Sequence, residues 1–109
     1  MTVESFAATR QQSGQAVRVL IPGLLRSYTA GADRVDLVVA SQSKEAPVLA
    51  DALDSLDARF PGFRFRIIDE QGNIRPHIKL FVNAELARDL AVTLPHRVEV
   101  MIVGALSGG

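Results

Sequence analysis

The sequence contains no cysteine, no tryptophan and a single tyrosine among its 109 residues. Without cysteine, the chain can form no disulfide, no thiolate metal site and no cysteine nucleophile. It also has no excess of charge, because twelve Lys and Arg residues balance twelve Asp and Glu residues. A protein that binds mainly nucleic acid or an anionic membrane needs a net basic surface, so we expect neither as the main partner.

Long hydrophobic runs are missing as well. No apolar segment approaches the roughly 20 residues that span a bilayer. The first residues, Met1 to Ser5, lack the basic-then-apolar order of a secretory signal, so we expect a cytoplasmic protein. Hydrophobic residues nevertheless make up 48% of the chain, enough for one domain with its own core.

The remaining sequence divides into short alternating segments and one helical segment. Alternation of apolar and other residues predicts strands over 17–21, 35–39, 63–67, 78–82 and 98–102. Apolar residues at helical spacing predict one main helix from Pro47 to Phe60, and residues 84–91 are interpreted as a brief helical turn. We therefore predict a flexible extension over 1–15, one domain over 16–103 and a flexible tail over 104–109.

This order of elements predicts a two-layer α+β fold. One helix has one sheet to cover, and the last strand follows a long excursion rather than a hairpin, so the sheet should be mixed. We predict a β-grasp (ubiquitin-like) fold with a four- to five-stranded sheet covered by one main helix.

Catalytic and metal-binding patterns are not recognisable in the sequence. Asp51, Asp54 and Asp57 on the predicted helix could suggest a cation site, but a solvated helix face is the favoured interpretation. The two histidines, His77 and His96, lack metal-ligand spacing and are interpreted as surface residues. The chain is therefore expected to hold no metal and not to act as an enzyme by itself.

The end of the sequence is its most informative feature. A predicted strand leads into Leu106-Ser107-Gly108-Gly109. Two glycines without Cβ atoms make a thin tail that can enter a narrow channel and present a carboxylate to another protein. The alternative interpretation is a frayed terminus of small residues.

The chain resembles the small sulfur-carrier proteins of the MoaD/ThiS family. The resemblance rests on Leu25-Arg26, on the helix ending in Arg59-Phe60-Pro61-Gly62, on the segment 72–83, which includes Phe81-Val82-Asn83, and on the terminal segment 105–109. The chain departs from the family in Leu94-Pro95-His96-Arg97, where relatives commonly carry an acidic Gly-Asp turn, and in Gly104-Ala105 before the tail. These departures bear on which pathway the protein serves.

The resemblance implies a chemistry for Gly109. A ubiquitin-activating-type enzyme would adenylate the C-terminal carboxylate, and a persulfide donor or sulfurtransferase would convert it to a thiocarboxylate. A synthase would then accept the sulfur in molybdopterin, thiamin, cysteine or similar biosynthesis. This chain would bind no cofactor, because ATP and magnesium would belong to the activating partner. Leu106, Ser107 and Gly108 would form the tail that carries the reactive group.

A docking face follows from the strand alternation. If the alternate residues of the first, fourth and last predicted strands face outward, Leu20, Phe81 and Met101 converge on one apolar patch. Arg18, Lys79 and His77 would rim this patch, and we predict that it binds a partner. The alternative is that single exposed apolar residues carry no function.

Two rival functions and one motif remain open. A ubiquitin-like modifier would use the same tail to form amide bonds with lysines, and a non-covalent binding module would leave the tail idle. The segment Arg75-Pro76-His77 could act as a phosphate hook, but an exposed strand entry explains it as well.

Overall fold

The computed structural model describes residues 14–41 and 46–104. Five strands form one sheet: β1 (Gly14–Leu20), β2 (Arg34–Ala40), β3 (Ile78–Val82), β4 (Glu85–Ala87) and β5 (Val98–Gly104). A 3-10 helix (Gly23–Thr29) joins β1 to β2, and two α-helices, α1 (Leu49–Arg59) and α2 (Phe63–Ile67), join β2 to β3. No helix in these two ranges is long and apolar enough to cross a membrane.

The sheet is mixed, with strand order β2-β1-β5-β3-β4. The first and last strands, β1 and β5, are parallel neighbours at its centre, and every other pairing is antiparallel. Its inner face carries the alternating apolar residues of β1, β3 and β5, all of them buried, as the sequence predicts. This is the β-grasp arrangement, so the predicted fold class is confirmed.

Helix α1 covers the inner face through Leu49, Ala52, Leu53 and Leu56, which are at most 1% exposed. Two hydrogen bonds stabilise the first turn of α1. The buried Asp51 carboxylate accepts a hydrogen bond from the Val48 amide at 2.8 Å, and the Leu49 amide donates to the carbonyl of Val92 at 2.9 Å. The solvated-face interpretation is therefore wrong for Asp51, whose carboxylate caps the helix.

Residues 63–67, predicted as a strand, form helix α2 instead. Gly62 adopts a left-handed φ of 96°, and Asp57 Oδ1 accepts hydrogen bonds from the amides of Gly62 and Arg64. Those contacts satisfy amides at the start of α2 that would otherwise be unpaired. Asp57 is therefore a local hydrogen-bond acceptor, although it remains partly exposed on the solvated face.

Residues 84–91, predicted as a helical turn, contain the short edge strand β4. Asn83 and Ala84 both have positive φ, 49° and 74°, which is the backbone of a two-residue hairpin turn between β3 and β4. The Asn83 side chain fixes this turn, since its amide donates to the Arg97 carbonyl and its Oδ1 accepts from the Glu99 amide.

The ends of the sheet differ slightly from the predicted domain limits. β1 begins at Gly14, inside the predicted extension, because Gly14 and Gln15 pair with Ala40 and Val39. β5 continues through Gly104, the first residue of the predicted tail, which pairs with Ile78. The tail residues Leu106, Ser107, Gly108 and Gly109 lie outside the described residues.

Candidate functional site

The outer face of the sheet carries one row of apolar side chains that crosses four strands. Leu20 of β1 pairs with Met101 of β5, and Met101 pairs with Phe81 of β3. Phe81 in turn pairs with Leu86 of β4. We call these four residues the apolar row. The convergence of Leu20, Phe81 and Met101 that the strand alternation predicts is therefore present, and their role in partner binding stays a prediction.

The apolar row is partly open to solvent. Met101 and Leu86 are 38% and 39% exposed, while Leu20 and Phe81 are half-buried by their neighbours. Val103, which is 39% exposed and follows Met101 by two residues on β5, extends the same surface. A contiguous group of exposed large apolar side chains on a sheet face is typical of an interaction surface.

Leu86 and Val103 were missed by the sequence analysis. Leu86 was missed because residues 84–91 were interpreted as helical, so no outward strand position was assigned there. Val103 was detectable, because it continues the alternation of Glu99 and Met101 on the outer face.

Charged residues flank the apolar row differently on its two sides. Towards the start of β1, Arg18 lies between Asp36 of β2 and Glu99 of β5. Its Nε donates to Asp36 Oδ1 at 3.0 Å, and this hydrogen bond, with the charge of Asp36, raises the pKa of Arg18 above its ordinary value. Arg18 is therefore part of an exposed ion pair rather than an unpaired cation.

On the other side, towards the end of β5, the flanking residues are basic. Lys79 pairs with Val103 and is exposed, and the exposed His77 precedes Ile78, the partner of Gly104. The predicted rim residues therefore lie on both sides of the apolar row, with Lys79 and His77 on the side from which the chain continues to the tail.

Gly104 is the last described residue and is closely surrounded. A Cβ atom at this position would lie 2.7 Å from Leu24 Cδ2 and 3.4 Å from Ile78 Cδ1. The absence of a side chain lets the 3-10 helix approach the end of β5. β5 pairs with β1 as far as Met101 and with β3 as far as Gly104, so the last residue of the strand is held by its pairing with Ile78.

The described residues provide no evidence for a metal site. Within 14–41 and 46–104, no group of three or more His, Asp or Glu side chains is placed to hold a metal ion. The described surface instead carries the apolar row and its charged flanks, close to Gly104, from which the chain continues to the tail.

Comparison with solved structures identifies the type of protein to which this fold corresponds. No protein-family model and no curated protein matches the chain. CysO from Mycobacterium tuberculosis is 27% identical, with a TM-score of 0.69 over 83% of this chain and 99% of that one. CysO from Amycolatopsis orientalis, solved in a complex with BexX, is 28% identical, with a TM-score of 0.70 over 86% of this chain and 100% of that one.

A further match supports the fold. SAMP1 from Haloferax volcanii is 24% identical, with a TM-score of 0.68 over 86% of this chain and 99% of that one. These neighbours are small carrier or modifier proteins rather than catalytic enzymes, and they support a sulfur-carrier or ubiquitin-like role. The chain therefore shares the β-grasp fold of these small carrier and modifier proteins, which agrees with the resemblance to the MoaD/ThiS family.

Proposed function

We propose that this chain is a sulfur carrier whose Gly109 carboxylate is adenylated by a ubiquitin-activating-type enzyme and then converted to a thiocarboxylate. The observation that carries the proposal is the position of Gly104, the residue from which the chain continues to the tail. Gly104 ends β5, the central strand of a sheet whose fold is shared with CysO. The tail thus starts at a fixed position beside an apolar surface.

The length of the tail limits where the partner's active site can lie. Five extended residues span at most about 18 Å. An active site that receives Gly109 must therefore lie close to the end of the sheet, and the partner has to contact that end. Met101 of the apolar row lies three residues before Gly104 on β5, so the row is close enough to offer the contact area that such docking needs.

The proposed chemistry requires a partner because a carboxylate is a poor acyl donor. The carboxylate oxygen of Gly109 attacks the α-phosphorus of ATP and displaces pyrophosphate, which leaves an acyl-adenylate. Hydrosulfide that displaces AMP from the acyl carbon gives the thiocarboxylate directly. A persulfide donor that displaces AMP gives an acyl disulfide instead, and a second thiol must cleave its S–S bond, which releases the thiocarboxylate and leaves a disulfide on the donor. This chain contributes the end group and its position, while ATP, magnesium and the catalytic side chains belong to the partner, and a synthase accepts the sulfur.

The tail residues fit this proposal through their small size. Gly108 and Gly109 have no Cβ that could contact the walls of an adenylation channel. Ser107 is the next residue back and is also small, and Leu106 is the first bulky residue of the tail. A partner can therefore enclose the last residues and recognise Leu106 at the channel entrance.

The test is to move the carboxylate. One residue appended after Gly109 displaces the carboxylate from the α-phosphorus, and near-attack geometry tolerates little displacement. Intact-mass analysis with the activating enzyme, ATP, magnesium and a sulfur donor should show oxygen replaced by sulfur in the native chain only. The same residue inserted at the N-terminus instead provides a matched control with the same added mass. Equal conversion of the C-terminally extended chain would reject the proposal.

A second candidate is a ubiquitin-like protein modifier. The similarity to SAMP1, a small archaeal modifier protein, favours it as the alternative. Both functions begin with adenylation, so the same reaction mixture distinguishes them when protein substrates are added. Gly109 joined to a lysine ε-amine would identify a modifier, whereas sulfur at Gly109 without such a bond identifies a carrier.

A further inference from the structure

Two clefts open at the end of the sheet where β5 ends. The first has a volume of about 310 Å³, and Tyr28, Phe65, Arg66, Arg75 and His77 are among its lining residues. Its volume is at the lower end of the range that binding pockets occupy. Two guanidinium groups and an imidazole therefore lie in one concave, aromatic-lined site.

The arginines of this first cleft are held in place by aromatic rings. The guanidinium of Arg66 lies 4.6 Å from the centre of the Tyr28 ring, and that of Arg75 lies 4.7 Å from the centre of the Phe65 ring. Arg75 Nε also donates to the Phe65 carbonyl at 2.8 Å. Both guanidinium groups are thus oriented before any ligand arrives, which lowers the entropic cost of binding one.

Neither arginine is neutralised by a carboxylate of the part of the chain that the structure describes. Among residues 14–41 and 46–104, the ion pairs involve Arg18 and Arg64, and neither Arg66 nor Arg75 is paired with a carboxylate. Because Arg75 uses its Nε for a backbone carbonyl, the donors available to a ligand are its two terminal nitrogens.

The second cleft shares Arg75 with the first and continues the same surface. Its volume is about 200 Å³, and its lining includes Arg75, Lys79, Arg88 and Leu86. No Asp or Glu lines either cleft. We call Arg66, Arg75, His77, Lys79 and Arg88 the basic belt. The sequence as a whole is neutral, so the belt reflects segregation of charge rather than a general excess.

The basic belt lies near Gly104 and adjoins the apolar row. Gly104 lies close to Leu24, which lines the first cleft, and pairs with Ile78, which lines the second. Leu86 lines the second cleft and also belongs to the apolar row. An apolar centre bordered by charged residues is the composition of a protein interface.

We propose that the basic belt accepts Asp or Glu side chains of the partner protein that engages the tail. This inference rests on the proposed function, because the partner is the enzyme that receives Gly109. A carboxylate forms two parallel hydrogen bonds with a guanidinium fork, and the oriented Arg66 and Arg75 offer such forks. Continuity with the apolar row favours a protein carboxylate over a free phosphate. The expected partner carries an acidic edge beside an apolar patch.

The experiment measures adenylation kinetics for Arg66→Gln, Arg75→Gln and the double variant, with the whole chain and the activating enzyme. The matched control is Arg97→Gln. Arg97 is an exposed arginine that directly precedes β5, at the opposite end of the strand from Gly104. Each single belt variant should raise the KM for the carrier about tenfold and leave kcat unchanged, since the belt docks the partner without touching the reacting atoms. Arg97→Gln should change neither.

Two further measurements identify the ligand and guard against misfolding. The KM of the native chain should rise steeply with ionic strength, and the double variant should respond less, because it has lost the charges that salt screens. A lysine variant, Arg75→Lys, keeps the charge but loses the fork and should give an intermediate KM. Arg66→Gln removes no backbone hydrogen bond among the described residues, so it tests the belt even if Arg75→Gln does not fold.

The outcomes separate this inference from the proposed function. If the native chain accepts sulfur but the folded belt variants keep the native KM, the role of the basic belt in partner binding is rejected and the proposed function stands. A change in the KM for ATP, with the KM for the carrier unchanged, would assign the belt to nucleotide phosphate and overturn the assignment to a partner carboxylate. Failure to adenylate the native chain would reject the proposed function itself, and the partner assigned to the belt with it.

Discussion

The two faces of the sheet are built from the same strands but differ in what they do. The inner-face residues of β1, β3 and β5 are at most 8% exposed and pack beneath α1 and α2. On the outer face of the same strands, the apolar row is only partly covered and is flanked by charges. One alternating pattern thus builds the core on one face and leaves a partly exposed apolar surface on the other.

The strongest test of this comparison uses two phenylalanines only two residues apart. Phe63 is 0% exposed, whereas Phe65 is 51% exposed. A strand would place both on one face, but helix α2 turns Phe63 inward and Phe65 outward. Phe63→Ala should lower the free energy of unfolding by about 3–5 kcal/mol. Phe65→Ala should cost about 1 kcal/mol or less, mainly through lost stacking with Arg75.

Urea denaturation of the two variants measures the difference. Circular dichroism of each variant confirms that it is folded before denaturant is added. Similar losses of stability for Phe63→Ala and Phe65→Ala would mean that residues 63–67 do not form the helix described, and that the predicted strand was right.

The next test compares neighbours on β3. Leu80 is fully buried on the inner face, and Phe81 belongs to the apolar row. Leu80→Ala should lower the free energy of unfolding by about 2–5 kcal/mol, because it leaves a cavity in the core. Phe81→Ala should cost clearly less stability but should weaken binding of the activating enzyme, because it removes apolar contact area.

The measurements are a denaturation curve and an affinity for the activating enzyme, with Met101→Ala as a second outer-face variant. If Phe81→Ala unfolds the protein as strongly as Leu80→Ala does, the assignment of outer-face residues to recognition is wrong. If Phe81→Ala and Met101→Ala both leave the affinity unchanged, the partner docks elsewhere.

The sequence predicted the sheet residues well because burial and alternation act together there. Val17, Leu80 and Val100 lie where the two-residue period places them, and the parallel contact of β1 with β5 follows from the β-grasp order. This is also why the positions of Leu20, Phe81 and Met101 could be predicted before the structure was known.

The secondary-structure predictions fail where local hydrogen bonds outweigh the hydrophobic periodicity of the sequence. The alternating residues 63–67 form a helix because Asp57 accepts two amides at its start and Gly62 provides a left-handed backbone. Residues 85–87 form a strand because the Asn83 side chain bonds to the backbone on either side of Val98 and fixes a hairpin turn. Neither contact is visible as a period in the sequence.

The basic belt could be predicted only in part. Arg75 and His77 were recognised in the sequence as a possible phosphate hook, but Arg66 was assigned to a strand face. The 3-10 helix brings Tyr28 to Arg66, and α2 brings Phe65 to Arg75. Such proximity depends on how separate elements pack against one another, so a single sequence does not reveal it.

The smallest expected effect lies at the other border of the apolar row, in the ion pair of Arg18 and Asp36. Both side chains are largely exposed, at 47% and 69%, so breaking the pair should leave the melting temperature almost unchanged. The raised pKa of Arg18 also predicts no change in stability near neutral pH. A cation whose pKa is raised on folding contributes its stability fully below the unfolded pKa and loses it only as the pH rises through the folded pKa. For Arg18 that window lies far above neutral pH.

Two matched variants decide whether Arg18 also serves recognition. Arg18→Gln and Asp36→Asn each break the ion pair, but only Arg18→Gln removes a cation that a partner would meet. If the partner uses Arg18, the first variant lowers the affinity for the activating enzyme and the second does not. We expect that loss to be smaller than the loss caused by Arg66→Gln, since Asp36 already neutralises Arg18 while Arg66 has no carboxylate partner in the described chain. Equal affinities for Arg18→Gln, Asp36→Asn and the native chain would restrict electrostatic recognition to the side of the sheet where the tail begins.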